Sequence, residues 1–164
     1  MKIEKKNSKL YLLIFFLVIL ILFFFLITKN FLKTKTADSE SISINLLTSV
    51  HPNLSWNFKP IKPTITIIPG EVTTIEYVVE NLGNKETTGI ATFAYFPREF
   101  GGYVSKINCF CYDAQTLQSK QKDKFTLVLL IDPKVTKDSK TKSMKEFTIQ
   151  FTFFDYKEYK ENKS

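Results

Sequence analysis

Downstream of residue 40 the apolar positions recur with a period of two. Ile42, Ile44 and Leu46 alternate with Ser43 and Asn45, Ile65 and Ile67 with Thr64 and Thr66, and Ile75, Tyr77 and Val79 with Thr74, Glu76 and Val78. Later, Phe125, Leu127, Leu129 and Ile131 alternate with Thr126, Val128 and Leu130, and Phe147, Ile149, Phe151 and Phe153 with Thr148, Gln150 and Thr152. Successive side chains of a strand point to opposite faces, so each run predicts a strand with one buried face. Turn signals separate the runs: Pro69-Gly70-Glu71, Asn81-Leu82-Gly83-Asn84, Pro97, Gly101-Gly102 and Asp132-Pro133. About seven short strands punctuated in this way predict an all-β domain, an immunoglobulin-like antiparallel β-sandwich. No stretch of this part has the period of a long amphipathic helix.

Upstream the pattern is of another kind. Leu10 to Ile27 is a run of eighteen apolar or aromatic residues without a charge. As a helix it would rise about 27 Å at about 1.5 Å per residue, close to the hydrocarbon thickness of a bilayer. A secretory signal peptide has a shorter apolar core, about 7–15 residues, and then a small-residue cleavage site. Thr28-Lys29-Asn30-Phe31 offers no such site, so the run reads as an uncleaved signal anchor. Lys2, Lys5, Lys6 and Lys9 precede it and Lys29, Lys33 and Lys35 follow, a bias that leans towards a cytoplasmic N-terminus and a domain outside the cytoplasm. The chain thus divides into a cytoplasmic N-terminus at 1–9, a transmembrane helix at 10–28, a polar linker at 29–40, the sandwich at 41–156 and a polar C-terminal tail at 157–164.

Charge changes this picture little. The net charge of +7 is spread unevenly: seven lysines face three acids up to residue 40, and sixteen Lys plus Arg face thirteen acids beyond it. The sandwich is only slightly basic, and its lysine runs near Lys120 to Lys124 and Lys134 to Lys145 are broken by Asp and Ser. A nucleic-acid-binding face needs a strong local excess of clustered Lys and Arg, so no nucleic acid is expected as a partner.

Candidate chemistry is concentrated in Lys106-Ile107-Asn108-Cys109-Phe110-Cys111-Tyr112, which holds both cysteines. On a straight strand Cys109 and Cys111 point to one face and Phe110 to the other, where it can anchor the segment in a core. Thiolate is a soft donor that selects Cu(I), zinc or iron–sulfur clusters. Structural zinc and clusters generally want four protein ligands, and the chain offers two cysteines and one histidine. Cu(I) tolerates so few. The pair also fits plain core packing, since a buried Cys behaves as a small hydrophobe. A structural disulfide is disfavoured, because side chains two apart on one strand stand too far from each other for an easy bridge and the closed loop is tiny. Elsewhere Trp56 and Phe58 read as packing residues, and His51, beside Pro52 and Asn53, as an exposed loop residue. Glu158 and Glu161 read as solvated charges of the tail. There is no Gly-rich phosphate loop and no HExxH motif, and no nucleophile-and-base arrangement points to an enzyme.

The segment Pro97 to Leu117, PREFGGYVSKINCFCYDAQTL, resembles the motif region of the CtaG family of cytochrome c oxidase assembly proteins, P-x-x-x-G-x-Y-x-x-K-x-x-C-F-C-F-x-x-Q-x-L. Pro97, Gly101, Tyr103, Lys106, Cys109, Phe110, Cys111, Gln115 and Leu117 fall on that pattern. Trp56-Asn57-Phe58-Lys59-Pro60 is similar to the family's W-x-F-x-P, Pro69-Gly70-Glu71 to its PGE turn, Asn81 to the asparagine after the next strand, and Asp132-Pro133 to its DP step. The resemblance implies a membrane-anchored immunoglobulin-like domain outside the cytoplasm, with Cys109 and Cys111 as ligands of Cu(I). The ion would be passed to the copper B centre in subunit I of cytochrome c oxidase, and copper-bridged homodimers would form. Two departures stand out. Tyr112 replaces a Phe, and the family's third cysteine, after the membrane span, has no counterpart in Phe31-Leu32-Lys33-Thr34-Lys35.

The function expected is therefore that of a non-enzymatic Cu(I) metallochaperone for oxidase assembly. It would sit in the bacterial inner membrane with its C-terminal domain in the periplasm, and be served by a copper donor and a thiol reductant. Two other readings stand beside it: a thiol–disulfide redox protein that uses the same pair, and an oxidase assembly scaffold that binds oxidase subunits and no metal.

Overall fold

The apolar run and the alternating runs fold as two separate units, 1–39 and 40–164, each described by itself. The computed structural model describes residues 4–33 and 40–162. Half of the expected linker, at 34–39, lies outside the described residues, as do Lys2 and Lys35 of the flanking charges and the last two residues of the tail. In the first unit a single helix, α1 (Glu4–Lys33), carries the charge-free run. Its Leu10–Thr28 stretch is long and apolar enough to cross a membrane. Side chains from Leu10 to Ile27 are all exposed, as a helix that relies on lipid for its surroundings should leave them.

The second unit is a two-sheet β-sandwich. Its strands are β1 (Ile42–Val50), β2 (Trp56–Pro60), β3 (Thr64–Ile67), β4 (Val72–Asn81), β5 (Thr87–Phe96), β6 (Val104–Cys109), β7 (Gln115–Leu117), β8 (Lys122–Ile131) and β9 (Glu146–Asp155). One sheet runs β3-β1-β9-β5-β7 and the other β2-β4-β8-β6. All-β architecture behind an apolar helix is thus as expected, with one refinement: β1 and β9 pair in parallel, while the other pairs run antiparallel. The segment read as a polar tail opens with a short helix, α2 (Tyr156–Glu161), whose first turn is capped by Asp155. The Asp155 carboxylate accepts from the N–H groups of Lys157 and Glu158 at 3.0 and 3.2 Å.

The period-two pattern meets its cause between the sheets. Ile42, Ile44 and Leu46 of β1, Phe147, Ile149, Phe151 and Phe153 of β9, Ile75, Tyr77 and Val79 of β4 and Phe125 to Ile131 of β8 supply the buried faces. Trp56 and Phe58 are core residues as expected, and the Trp56 indole N–H donates to Thr87 Oγ1 at 2.8 Å. The expected Pro69-Gly70-Glu71 turn joins β3 to β4. Gly70 has φ +96° there, a conformation L side chains rarely adopt, and its N–H donates to the Ile131 carbonyl at 2.8 Å.

Two buried polar groups behave oppositely. Asn81 is fully buried, and its side-chain amide donates to the carbonyls of Lys85, Leu117 and Gln118 at 2.9, 3.1 and 3.1 Å and accepts from the Gly83 N–H at 2.9 Å. It ties the β4–β5 turn to the segment after β7. The Tyr77 hydroxyl is buried with no hydrogen-bond partner among the described residues, and burial raises its pKa. Asn81→Ala should therefore lower stability by about 2–3 kcal/mol, because several buried backbone groups lose their partner at once, whereas Tyr77→Phe should raise it by about 1 kcal/mol. Urea unfolding of the full chain in detergent, followed by circular dichroism, checks both. Equal signs for the two substitutions would refute the contrast.

Candidate metal-ligating centre at the cysteine pair

β6 is the edge strand beside β8, and its course decides where the sulfurs go. The register pairs Lys106 with Leu129, then Asn108 with Val128 and Cys109 with Leu127, so Ile107 is inserted as a β-bulge. A one-residue insertion moves every later side chain to the other face. Lys106 and Cys109 consequently share the inward face, opposite the buried Leu129 and Leu127, and Ile107 is left 56% exposed. The chain then leaves the strand in a 3-10 turn, Phe110–Tyr112.

This corrects the expectation of a strand with both sulfurs on one face and Phe110 alone on the face towards the core. Cys109 is 4% exposed and belongs to the core, while Cys111 is half-buried at the rim. Phe110 is the core anchor that its sequence position predicts, 8% exposed. It stacks on Phe125 at 5.3 Å and meets Tyr77, Phe151 and Phe58 at 5.4, 4.8 and 5.6 Å. Sinking that ring bends the backbone. The Cα atoms of Cys109 and Cys111 are 5.0 Å apart, against about 6.6 Å for residues two apart at roughly 3.3 Å rise, and the two sulfurs are joined in a disulfide. The disfavoured bridge forms because the turn removes the separation on which the objection rested.

Neighbouring groups hold the turn. The Gln115 amide donates to the carbonyls of Phe110 and Asp113 at 3.0 and 3.2 Å, the Tyr112 hydroxyl donates to the Lys106 carbonyl at 2.6 Å, and the Cys111 N–H donates to Cys109 Sγ at 3.2 Å. Lys106 supplies the only charge on the sulfurs among the described contacts. Its Nζ donates to Cys111 Sγ at 3.8 Å and lies 2.7 Å from the centroid of the Phe93 ring, which belongs to the opposite sheet. Through Lys106 the pair is thus linked to β5 of the opposite sheet. Burial of the ammonium lowers the Lys106 pKa to about 8. Tyr95, on β5 as well, is pushed up to about 12 by burial and by the proximity of Tyr112.

Other candidates stay apart from this place. His51 is half-buried and not exposed as expected: its ring stacks on Phe154 at 5.6 Å. Glu158 accepts two hydrogen bonds from the Asn53 amide, at 2.9 and 2.7 Å. No group of three or more His, Cys, Asp and Glu is placed to hold a metal ion among the described residues. Any ion taken by the pair would have two protein sulfurs and, among the described residues, no third donor of those types. Phe93 is the site residue that sequence reasoning missed. It lies in a Thr- and Ala-rich strand without clean alternation, and nothing local marks it as facing a lysine from the other sheet.

Comparison with known proteins now adds to the geometry. The model of the cytochrome c oxidase assembly protein CtaG/Cox11 family matches residues 26–155. Cytochrome c oxidase assembly protein CtaG of Sinorhizobium fredii is 36% identical over 115 residues, 70% of this chain and 58% of that protein. Mitochondrial COX11 of Bos taurus is 34% identical over 117 residues, 71% of this chain and 42% of that protein. The chain thus spans less than two thirds of the length of these two relatives. Among solved structures, the ASH/PapD-like domain of human CEP192 is similar over 71% of this chain and 84% of its own, at 13% identity and a TM-score of 0.30.

The Lys106 environment makes a prediction with a definite sign. In the disulfide form the folded protein releases the Lys106 proton near pH 8, and the unfolded chain near 10.5. Between those values the unfolded state binds more protons, so stability rises with pH through that window and is unaffected by this group below it. The stability of the unsubstituted protein relative to Lys106→Met should therefore increase from about pH 8 to about pH 10. Denaturation midpoints of both proteins across that range, without added thiol, test this. A flat difference means that the ammonium is not desolvated.

Proposed function

This chain belongs to the cytochrome c oxidase assembly protein CtaG/Cox11 family, and on that footing we propose that it is a membrane-anchored Cu(I) metallochaperone that delivers copper to the copper B centre of oxidase subunit I. The observation that carries this reading is the convergence of Cys109 and Cys111, the chain's two cysteines, at a place where Cys111 is only half-buried. The disulfide must first be opened by two electrons from a thiol reductant, since thiolate is the form that binds metal. Two thiolates then hold Cu(I) in low coordination, with Gln115 and Phe110 keeping their spacing and Lys106 offsetting part of their negative charge. The ion is cargo. An incoming donor from the acceptor adds to the open coordination sphere, and one sulfur after the other lets go, so the copper moves without entering solvent. No bond of the protein is made or broken in this exchange, and the role is not enzymatic.

The α1 span supports anchoring, and the lysine bias supports an N-terminus in the cytoplasm with the sandwich in the periplasm, at the bacterial inner membrane. A copper donor supplies the ion, and a second copy sharing it would complete the coordination in a copper-bridged homodimer. The disulfide itself favours a second reading, a thiol–disulfide redox protein that uses the same pair on other proteins. An assembly scaffold without metal is the remaining alternative.

One experiment separates the three. The reduced full chain, exposed to Cu(I) under anaerobic conditions and freed of unbound ion, should retain copper in proportion to the cysteine pair. Cys109→Ser with Cys111→Ser should retain none, with an unchanged β-sheet circular dichroism spectrum. Stoichiometric copper on the double variant removes the site. Absence of copper on the reduced protein, with or without turnover of disulfide substrates, selects the redox or the scaffold reading. On the copper reading, retention also weakens as pH falls, because protons compete for the sulfurs.

A further inference from the structure

The two sulfurs of the pair are not equivalent, and the difference assigns them separate parts in reduction. Cys109 is 4% exposed, its residue packed into the core cluster, whereas Cys111 stands half-buried at the rim and is only packed against that cluster. Cys109 Sγ already accepts the Cys111 N–H at 3.2 Å, a donor aimed at the atom where negative charge would arrive if that sulfur left. Around Cys111 lie the Lys106 ammonium at 3.8 Å and the exposed Tyr112 ring, open to an anionic nucleophile from solvent. Thiol–disulfide exchange proceeds by attack of a thiolate on one sulfur with the other as leaving group, and access decides which sulfur is attacked.

We propose that Cys111 Sγ is the point of attack for the thiol reductant and carries the mixed disulfide, while Cys109 departs as a core-facing thiolate held by the Cys111 N–H. This deepens the copper reading of the same site, on which it rests for its biological purpose but not for its chemistry. The step balances. A reductant thiolate forms a bond to Cys111 Sγ, the Cys109–Cys111 bond breaks, and its electron pair stays on Cys109. A second reductant thiolate then attacks the reductant sulfur of the mixed disulfide, releasing the Cys111 thiolate and an oxidised reductant disulfide. Two electrons have passed to the pair, and both sulfurs are free. The partner is thus a thiol donor whose nucleophilic sulfur reaches a rim between two sheets without entering the core. A protein dithiol has the further advantage that its own second thiol resolves the adduct before Cys109 reverses it.

The test uses the oxidised full chain in detergent. It is exposed briefly to glutathione, then blocked with excess maleimide, and the peptide containing Cys109 and Cys111 is sequenced by mass spectrometry. Glutathione should be found on Cys111 and maleimide on Cys109, with at least about a tenfold preference over the reverse arrangement. In a second arm, Cys109→Ser and Cys111→Ser are each reduced and treated with oxidised glutathione. The thiol of Cys111 should react about tenfold faster than that of Cys109. Equal labelling, preference for Cys109, or no adduct on the oxidised chain overturns the assignment. Copper retention by the reduced protein, measured on the same preparation, keeps the two claims apart. Selective adducts without copper would sink the metallochaperone reading alone, and copper with unselective adducts would sink this inference alone.

Discussion

Burial of one ring organises the site. Phe110 lies between the sheets against Phe58, Tyr77, Phe125 and Phe151, and a buried Phe contributes about 1.5–3 kcal/mol through area alone, with aromatic pairs adding about 0.5–1.5 kcal/mol each. Energies of that size outweigh the cost of ending β6 and bending the backbone into a 3-10 turn. Because Phe110 stands between the two cysteines, its descent into the core fixes both: one sulfur is drawn in, the other is left at the rim, and the Cα atoms close to 5.0 Å. The β-bulge at Ile107 is the second part of the same device, since without the inserted residue Cys109 would face away from the core.

Much of the architecture is legible in the order of apolar and polar residues. Five clean alternating runs mark β1, β3, β4, β8 and β9, because one buried face and one wet face impose a period of two wherever both faces exist. β5 escapes that reading for a physical reason: one face changes character along its length, from Gly89 and Ala91, both buried, to Phe93, 42% exposed. Phe110 is legible as an anchor because its neighbours are polar, small or at the surface. The sulfur geometry is not. Both its causes, the bulge and the turn, are departures from ideal strand geometry, and the pattern of residues around Cys109 and Cys111 carries no sign of a one-residue insertion. The burial of His51 is hidden in the same way, since it comes from Phe154, more than a hundred positions away in the chain.

Five of the motif residues that bear the family likeness meet at the site, and they divide into two kinds. Gln115 and Phe110 act on backbone shape, through two hydrogen bonds and a ring contact set, and they would be needed by any chemistry at this turn. Cys109, Cys111 and Lys106 act on charge and electrons. Lys106 reaches the pair from the inward face of an edge strand, and its ammonium is covered by Phe93, which makes the charge stronger in effect and more costly to keep. A cation in that position favours any state in which negative charge resides on sulfur, whether a reduced pair or a metal-bound one. The site thus leans towards the states that the proposed function uses.

On the proposed copper reading, a disulfide and a bound ion would need the same sulfur electron pairs, and a two-donor site would suffice because it is built for transfer and not for storage. On the copper reading, an oxidised pair is closed to metal and a reduced pair is open with nothing else of His, Cys, Asp or Glu type to complete a cage among the described residues. A complete cage would hold copper more tightly, but would have to be dismantled for transfer. An incomplete one leaves room for the acceptor's donors to enter before either sulfur departs. On the same reading the unequal burial of the two cysteines would give the exchange an order, with foreign ligands arriving at Cys111, at the rim, and Cys109, in the core, letting go last.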